Sequence, residues 1–260
     1  MTGVQTCALP ILLFAPSQEI EIPVRFRSIG GAIAVVAPQS PLVEAAYRDD
    51  LAAVKELLFQ GTDANVFDDA TQTNALDHAV ENGNREMVQL LLSFKARVNG
   101  NASGHSPLMS LRDNATPELV LDLIAAGALV NQQDESGDTP LMNAASTSNL
   151  LAVKTLIRMG ASVNVSNTEG ATPLLKAAAN DDPNVVKLLL ELGADVNAHD
   201  NDGETALLLA ASTNKPEQIK LLLKAGAEAN VQDKEGKTPL LAAATAEDEE
   251  VLKLLIRRGC

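Results

Sequence analysis

The sequence predicts an all-α solenoid in which short helix pairs stack in a row. Three observations support this: a repeat of about 33 residues, a proline-containing helix start in most copies, and an aromatic content of only 2%. Six asparagines mark the repeat at steps of 34, 32, 33, 33 and 33 residues, and they are Asn65, Asn99, Asn131, Asn164, Asn197 and Asn230. A fixed period in this range indicates one supersecondary unit copied many times, each copy burying its apolar face on its neighbours.

Each copy begins with a phrase that predicts the start of a first helix. Thr-Pro-Leu stands at Thr139, Thr172 and Thr238, and weaker versions stand at the other starts. A threonine hydroxyl can cap free amides, and proline fits the first helical position because it needs no donor there. Seven units are predicted, numbered 1 to 7, beginning near Ser40, Asn74, Ser106, Thr139, Thr172, Thr205 and Thr238.

The rest of each unit predicts a second helix and a turn. Small residues such as Ala144 and Ala145 let neighbouring first helices approach closely. The second helix carries apolar residues at helical spacing, for example Val185, Leu188 and Leu189. A glycine follows it, as at Gly160, and suits a left-handed helix stop.

These motifs resemble the ankyrin repeat in their period, their residues and their order. The resemblance rests on Thr-Pro-Leu-x-x-Ala, as at Thr139, followed by Gly-Ala-x-Val-Asn, as at Gly160 to Asn164, and it extends from about residue 40 to residue 260. It implies a helix-turn-helix and a β-hairpin-like turn in each period, and a role in protein binding. One departure recurs, because the family usually has histidine after Thr-Pro-Leu. That slot here holds Asp77, Met109, Met142, Leu175, Leu208 or Leu241, which predicts apolar contact in place of a hydrogen bond.

The two ends of the chain are interpreted separately from the repeats. Residues 1–11 resemble translated read-through of a sequencing adapter, so residues 1–39 are expected to be an artefact, a disordered leader or a degenerate signal segment. Residues 25–37 resemble a short secretory signal, and a strand-like tail is the alternative. The repeat domain, 40–260, is expected to be C-terminally truncated, because the repeat predicts Ala-x-Val-Asn after Gly259 and the sequence has only Cys260 there. We expect a cytoplasmic protein, or a periplasmic or secreted one if 25–37 is a signal.

The charge balance limits the class of partner. The chain has 34 acidic and 20 basic residues, a net charge of −14, and the repeats carry the whole excess. A nucleic-acid binder would show a basic stripe, and anionic membranes would repel this surface. We therefore expect a protein partner, possibly basic, and neither nucleic acid nor membrane. Simple solubility is the alternative explanation of the acidic excess.

The sequence shows no catalytic constellation. Cys7 and Cys260 lie at the two ends, and the three histidines, His78, His105 and His199, lie in different units without metal-ligand spacing. We interpret each histidine as an ordinary polar surface residue. No catalytic, cofactor or metal site is predicted, so the chain is not expected to be an enzyme. It is interpreted as a non-catalytic interaction module, monomeric like many proteins of this kind. The alternatives are a structural spacer and a regulatory or targeting domain of a larger enzyme.

The resemblance implies a concave binding face made of turns and first helices. By alignment of the units, the expected contacts are Gln133, Glu135, Ser136, Asp138, Ser166, Thr168, Glu169, His199, Asn201, Asp202, Glu204, Gln232, Lys234, Glu235 and Lys237. The helix positions that extend them are Ser146, Thr147, Asn180, Ser212, Thr213 and Thr245. Asp134, Asp200 and Asp233 recur at one slot and are expected to bond turn amides instead. Nine carboxylates and two lysines in these four turns predict a preference for cationic partners.

Overall fold

The computed structural model describes residues 26–29, 32–35, 40–68, 73–99, 104–245 and 249–257, of which the side chains of 26–29, 32–35 and Thr245 are not described. The chain separates into two compact units, Met1–Ala37 and Pro38–Cys260. In the first, β1 (Phe26–Ile29) pairs antiparallel with β2 (Ala32–Val35), with Phe26 opposite Val35. The adapter-like residues 1–11 lie outside the described residues. The interpretation of residues 25–37 as a signal segment stays a prediction.

The second part of the chain is a row of helix pairs, which confirms the predicted all-α solenoid. The first three pairs are α1 (Pro41–Tyr47) with α2 (Leu51–Phe59), α3 (Ala75–Glu81) with α4 (Arg85–Ser93), and a 3-10 helix (Pro107–Ser110) with α5 (Pro117–Ala125). The others are α6 (Pro140–Ser146) with α7 (Leu150–Arg158), α8 (Pro173–Ala178) with α9 (Pro183–Glu191), α10 (Ala206–Ser212) with α11 (Pro216–Lys224), and α12 (Pro239–Thr245) with α13 (Glu249–Ile256). One turn, between α2 and α3, also forms a short hairpin of β3 (Phe67–Asp68) and β4 (Thr73–Asn74).

The predicted caps of the first helices form at most starts. The hydroxyl of Thr139 accepts a hydrogen bond from the backbone N–H of Met142 at 3.3 Å, and Thr205 accepts one from Leu208 at the same distance. Ser40 and Ser106 make no side-chain cap bond. The threonine phrase therefore marks capped helix starts, and Asn74 caps its own helix with a capping box.

The core is a thin apolar layer shared by successive units. Each first helix packs on its own second helix and on the next first helix, as α6 packs on α7 and α8. Ala144 and Ala145 are fully buried at this contact, and Leu156 of α7 is fully buried beneath it. Because every unit buries its apolar face on a neighbour, stability comes from stacking.

The repeating asparagines tie each unit to the next. The side chain of Asn131 donates to the carbonyl of Gly160 at 2.9 Å and accepts from the N–H of Ser162 at 2.8 Å. Both bonds recur at the equivalent positions Asn65, Asn99, Asn164 and Asn197. One amide side chain thus satisfies a carbonyl and an amide of the following helix stop, which explains the strict period.

Unit 3 differs from the others in its first helix. Where Ala144 and Ala145 stand in unit 4, unit 3 has Leu111 and Arg112, and the helix shortens to the 3-10 turn. The Arg112 side chain leaves the helix contact and pairs with Glu81 at 2.8 Å. The Asn149 side chain donates to the carbonyls of Arg112 and Ala115, so unit 4 holds the resulting loop. A regular first helix in unit 3 was expected, and that expectation is wrong because the small pair is missing.

Candidate functional site

Four turns, residues 133–138, 166–171, 199–204 and 232–237, form the candidate surface and are called the turn tips. One side chain closes each tip. Asp134 Oδ1 accepts from the N–H groups of Ser136 and Asp138, both at 2.9 Å. Asp200 and Asp233 do the same in their own tips. The predicted role of these aspartates as turn-closing residues is confirmed.

A fourth residue of this kind escaped the sequence analysis. Asn167 Oδ1 accepts from the N–H groups of Glu169 at 3.0 Å and Ala171 at 2.8 Å, as Asp134 does one period earlier. Its position in the repeat could have identified it, because Asn167 stands 33 residues after Asp134 and differs from it only in side-chain chemistry. A neutral amide makes the same bonds, so the shared slot is structural and its charge is incidental.

Backbone hydrogen bonds join each tip to the next. The N–H of Thr168 donates to Ser136 O at 2.9 Å, and the N–H of Asn201 donates to Glu169 O at 2.7 Å. The N–H of Lys234 continues the series to Asp202 O at 2.8 Å. The four tips therefore form one connected row, which fixes the positions of the side chains that they carry.

Several of the predicted contact residues hold this row together. Gln133 donates to the carbonyl of Gly137, and the Thr168 hydroxyl donates to Ser136 O, both at 2.8 Å. The side chain of Asn201 donates to Thr168 O at 2.9 Å. Asp138 accepts from Asn167 Nδ2 at 2.8 Å and lies 3.4 Å from Lys176 Nζ. Their role as partner contacts stays a prediction, and truncating them would also disturb the tips.

Most of the predicted helix positions are likewise engaged, whereas the hydroxyl of Ser212 is buried and has no hydrogen-bond partner within the described residues. The side chain of Asn180 donates to the carbonyl of Ala145 in the preceding unit at 2.8 Å. The Ser146 and Thr213 hydroxyls donate to carbonyls of their own helices. The side chain of Thr245 lies outside the part of the chain that the structure describes. The first helices therefore contribute less free polar surface than the tips do.

Four exposed carboxylates remain available at the tips. They belong to Glu135, Glu169, Asp202 and Glu235, and none makes a side-chain hydrogen bond or ion pair within the described residues. Each exposed carboxylate lies beside a bonded backbone amide, so the chain direction at that point is fixed. These side chains can meet a cation without breaking an internal bond.

The last two tips enclose a groove of about 360 Å³, lined by Asp202, Glu204, Asp233, Lys234, Glu235 and Lys237. Partial burial raises the pKa of Glu204, and the neighbouring carboxylate of Asp200 raises it further. Asp233 and Asp202 act in the same direction, and Lys237 opposes them. Like charges that raise a carboxyl pKa indicate a local field that favours a cation.

A second groove, of about 500 Å³, contains two more of the predicted residues. His199 and Gln232 line it together with Asn197, Gly203, Thr205, Glu228 and Val231. The lining carries one acidic side chain, so this groove lacks the charge density of the first. Five of the predicted contacts thus line an acidic groove and two line a more neutral one.

The three histidines occupy unlike environments. His199 is exposed, as expected, and His105 is half-buried with Nε2 3.0 Å from the Ser110 hydroxyl. His78 is only 2% exposed and contacts Thr73 and Glu81, so its interpretation as a surface residue is wrong. It lies on α3 against the edge of the Tyr47 ring. Within the described residues, no group of three or more histidine, cysteine or acidic side chains is arranged to hold a metal ion.

The fold and its row of turns define a helical repeat protein with a connected turn surface. A family model for ankyrin repeats matches three times, over residues 42–114, 110–200 and 197–260. The chain therefore belongs to the ankyrin repeat family, and it carries a generic protein-protein interaction module.

Among solved structures, the human ASB11 ankyrin repeat domain is similar to this chain. The two are 30% identical with a TM-score of 0.74, and the match covers 85% of this chain and 99% of that one. No curated protein matches the chain. In the part of the chain that the structure describes, no helix has the length and apolar character needed to cross a membrane.

Proposed function

We propose that the chain is a non-catalytic module that binds a basic protein segment along its turn tips. The observation that supports this proposal is the set of exposed carboxylates on a connected row of tips. Glu135, Glu169, Asp202 and Glu235 make no ion pair among the described residues, although Lys234 and Lys237 line the same groove as Asp202 and Glu235. The negative charge of these carboxylates would attract a lysine or arginine side chain of a partner. Complementary charge also speeds the encounter of the two proteins.

The connected tips give this charge a defined geometry. Because backbone bonds run from Ser136 to Thr168, from Glu169 to Asn201 and from Asp202 to Lys234, the carboxylates follow one another from tip to tip along the connected row. An extended basic segment can meet successive carboxylates in the same way. The tips do not have to reorder on binding, which keeps the entropic cost of association low.

The proposal is tested with a matched pair of charge variants. The test variant carries Glu169→Gln, Asp202→Asn and Glu235→Gln. The control carries Glu86→Gln, Glu118→Gln and Glu191→Gln, which removes the same charge from exposed positions on second helices. The probe is a fluorescently labelled oligolysine peptide, and the measurement is its dissociation constant by anisotropy.

We expect the test variant to bind roughly tenfold more weakly, because three exposed ion pairs contribute about 0.2–1 kcal/mol each. The control variant is expected to change by less than about twofold. Raising salt from about 50 mM to about 500 mM is expected to weaken wild-type binding, because exposed charges are screened. Equal losses in both variants, or binding independent of salt, would contradict the proposal.

A further inference from the structure

A carboxylate is buried on the first helix of unit 2, which packs on unit 3. Asp77 is only 2% exposed on α3, which packs on the 3-10 helix of unit 3. In units 3 to 6 the same slot holds a buried apolar residue: Met109, Met142, Leu175 or Leu208. Unit 2 therefore presents an ionisable group where the other units present only apolar surface.

The Asp77 carboxylate is only half satisfied. Its Oδ2 accepts from the N–H of Asn74 at 2.9 Å, which completes the helix cap. Its Oδ1 is buried and has no hydrogen-bond partner within the described residues, and the buried hydroxyl of Ser106 in unit 3 is in the same state. A buried charge without full hydrogen bonding is costly, whereas the protonated acid carries no such charge.

Unit 3, on which α3 packs and whose His105 acts electrostatically on Asp77, is also the least regular unit. Its first helix is reduced to the 3-10 turn Pro107–Ser110, and Ser106 makes no cap bond. The following loop is held by both neighbours: Asn149 of unit 4 donates to the carbonyls of Arg112 and Ala115, and the side chains of Arg112 and Asn114 donate to Glu81 of unit 2. Because the first helix of unit 3 is only a 3-10 turn, a single unfavourable group weighs more at this contact than it would between two regular helices.

The neighbouring charges do not neutralise Asp77. On α1, Arg48 pairs with Glu44. On α4, Arg85 pairs with Asp122, and Glu86 is exposed.

The remaining ionisable groups around α3 lie closer to unit 3. Arg112 pairs with Glu81, and the buried His78 contacts Glu81 as well. Tyr47 lies against the His78 ring. His105, at the start of unit 3, acts electrostatically on Asp77 and favours its ionised form.

We propose that the contact between α3 and the 3-10 helix is a pH-controlled joint, closed when Asp77 is protonated and loosened when it is ionised. Each unit of a repeat protein contacts only its neighbours, so a loosened joint frees units 1 and 2 from the units that carry the turn tips. The joint makes the local order of unit 3 depend on pH, while the tips keep their own backbone bonds.

The sign of the effect follows from the direction of the pKa change. Burial raises the pKa of Asp77 from 3.8 to about 6, against the opposing hydrogen bond from Asn74 and the charge of His105. The closed state therefore holds its proton more tightly than the open state does. The stabilisation is complete below the ordinary carboxyl range and is lost as pH rises through about 6. Between about pH 5 and pH 7.5, these two values imply a roughly tenfold larger opening equilibrium constant.

The experiment is hydrogen exchange of the full chain at about pH 5 and about pH 7.5, with rates divided by the intrinsic rate at each pH. The reporters are the amides of residues 104–116, and those of α10 are the internal reference. We expect residues 104–116 to open about tenfold more at the higher pH. The reference amides are expected to stay constant.

Variants separate Asp77 from other causes. Asp77→Met introduces the methionine that units 3 and 4 have at this slot, and Asp77→Asn keeps the shape of the aspartate side chain without its charge. Both variants are expected to abolish the pH difference. Asp113→Asn removes an exposed carboxylate from the same loop and is expected to keep it. The proposal is overturned if wild-type opening is equal at both pH values. It is also overturned if the difference persists in both Asp77 variants, and its disappearance in His105→Gln would then assign it to that histidine.

Discussion

Gly170 is the position where the connected row of tips can be tested by adding one carbon atom. It has a φ of +83°, and a Cβ placed there would lie 2.8 Å from the backbone nitrogen of Asn201. Gly236 occupies the same slot in the last tip with a φ of +80°, and no described atom lies within 4 Å of its Cβ position. Gly160, at a helix stop inside the row, has a φ of +94° and similarly open space among the described atoms.

The variants Gly170→Ala, Gly236→Ala and Gly160→Ala share one cost in folding free energy, and Gly170→Ala has a second. Alanine in the left-handed region costs about 1 kcal/mol at each site. Only Gly170→Ala also forces the next tip away, which breaks the bond from Asn201 N to Glu169 O and that from its side chain to Thr168 O. Two lost hydrogen bonds add about 2 kcal/mol. We therefore expect a destabilisation of about 3 kcal/mol for Gly170→Ala and about 1 kcal/mol for each control.

The assay is urea unfolding followed by far-UV circular dichroism, with hydrogen exchange of residues 167–171 and 200–204 to locate the loss. Gly236→Ala controls for the turn slot, and Gly160→Ala controls for a position inside the row. If Gly170→Ala unfolds at the same urea concentration as both controls, the close contact between adjacent tips does not contribute to stability.

Three further predictions concern the row of units. Asn131→Ala removes the two bonds to Gly160 and Ser162 and is expected to cost about 2 kcal/mol in urea unfolding. Leu156→Ala empties a fully buried site and is expected to cost about 2–5 kcal/mol, whereas Leu151→Ala, at a side chain that is 53% exposed, is expected to cost far less. The hydrogen bond from Arg85 lowers the pKa of Asp122, so Arg85→Gln is expected to destabilise at neutral pH. This loss is expected to shrink as pH falls below the ordinary carboxyl range and through the lowered pKa of Asp122, where the wild-type carboxylate is protonated as well, and urea melts at neutral and acidic pH check it.

The sequence was most informative where a side chain has one structural role that recurs. The asparagine period and the threonine caps at Thr139 and Thr205 predicted the fold, because each is needed for a local backbone bond. The same logic identified Asp134 as a turn-closing residue. These bonds lie within one unit or between adjacent units, so a repeated slot is enough to reveal them.

The parts that were missed depend on contacts between particular neighbours. The 3-10 turn of unit 3 follows from Leu111 and Arg112 meeting units 2 and 4, which their sequence position alone does not show. The burial of His78 and Asp77 depends on how α3 packs on α1 and on the 3-10 helix. The division of the predicted contacts into row-forming and free side chains likewise required the bonds between tips, such as that from Asn201 to Thr168.

Carboxyl footprinting tests the central claim most directly. The full chain is labelled with a carbodiimide and an amine, with and without saturating oligolysine, and the modified carboxylates are quantified by mass spectrometry. We expect the peptide to protect Glu169, Asp202 and Glu235 and to leave Glu86 and Glu191 labelled as before. Protection confined to the second-helix carboxylates, or equal protection at all five sites, would contradict recognition by the turn tips.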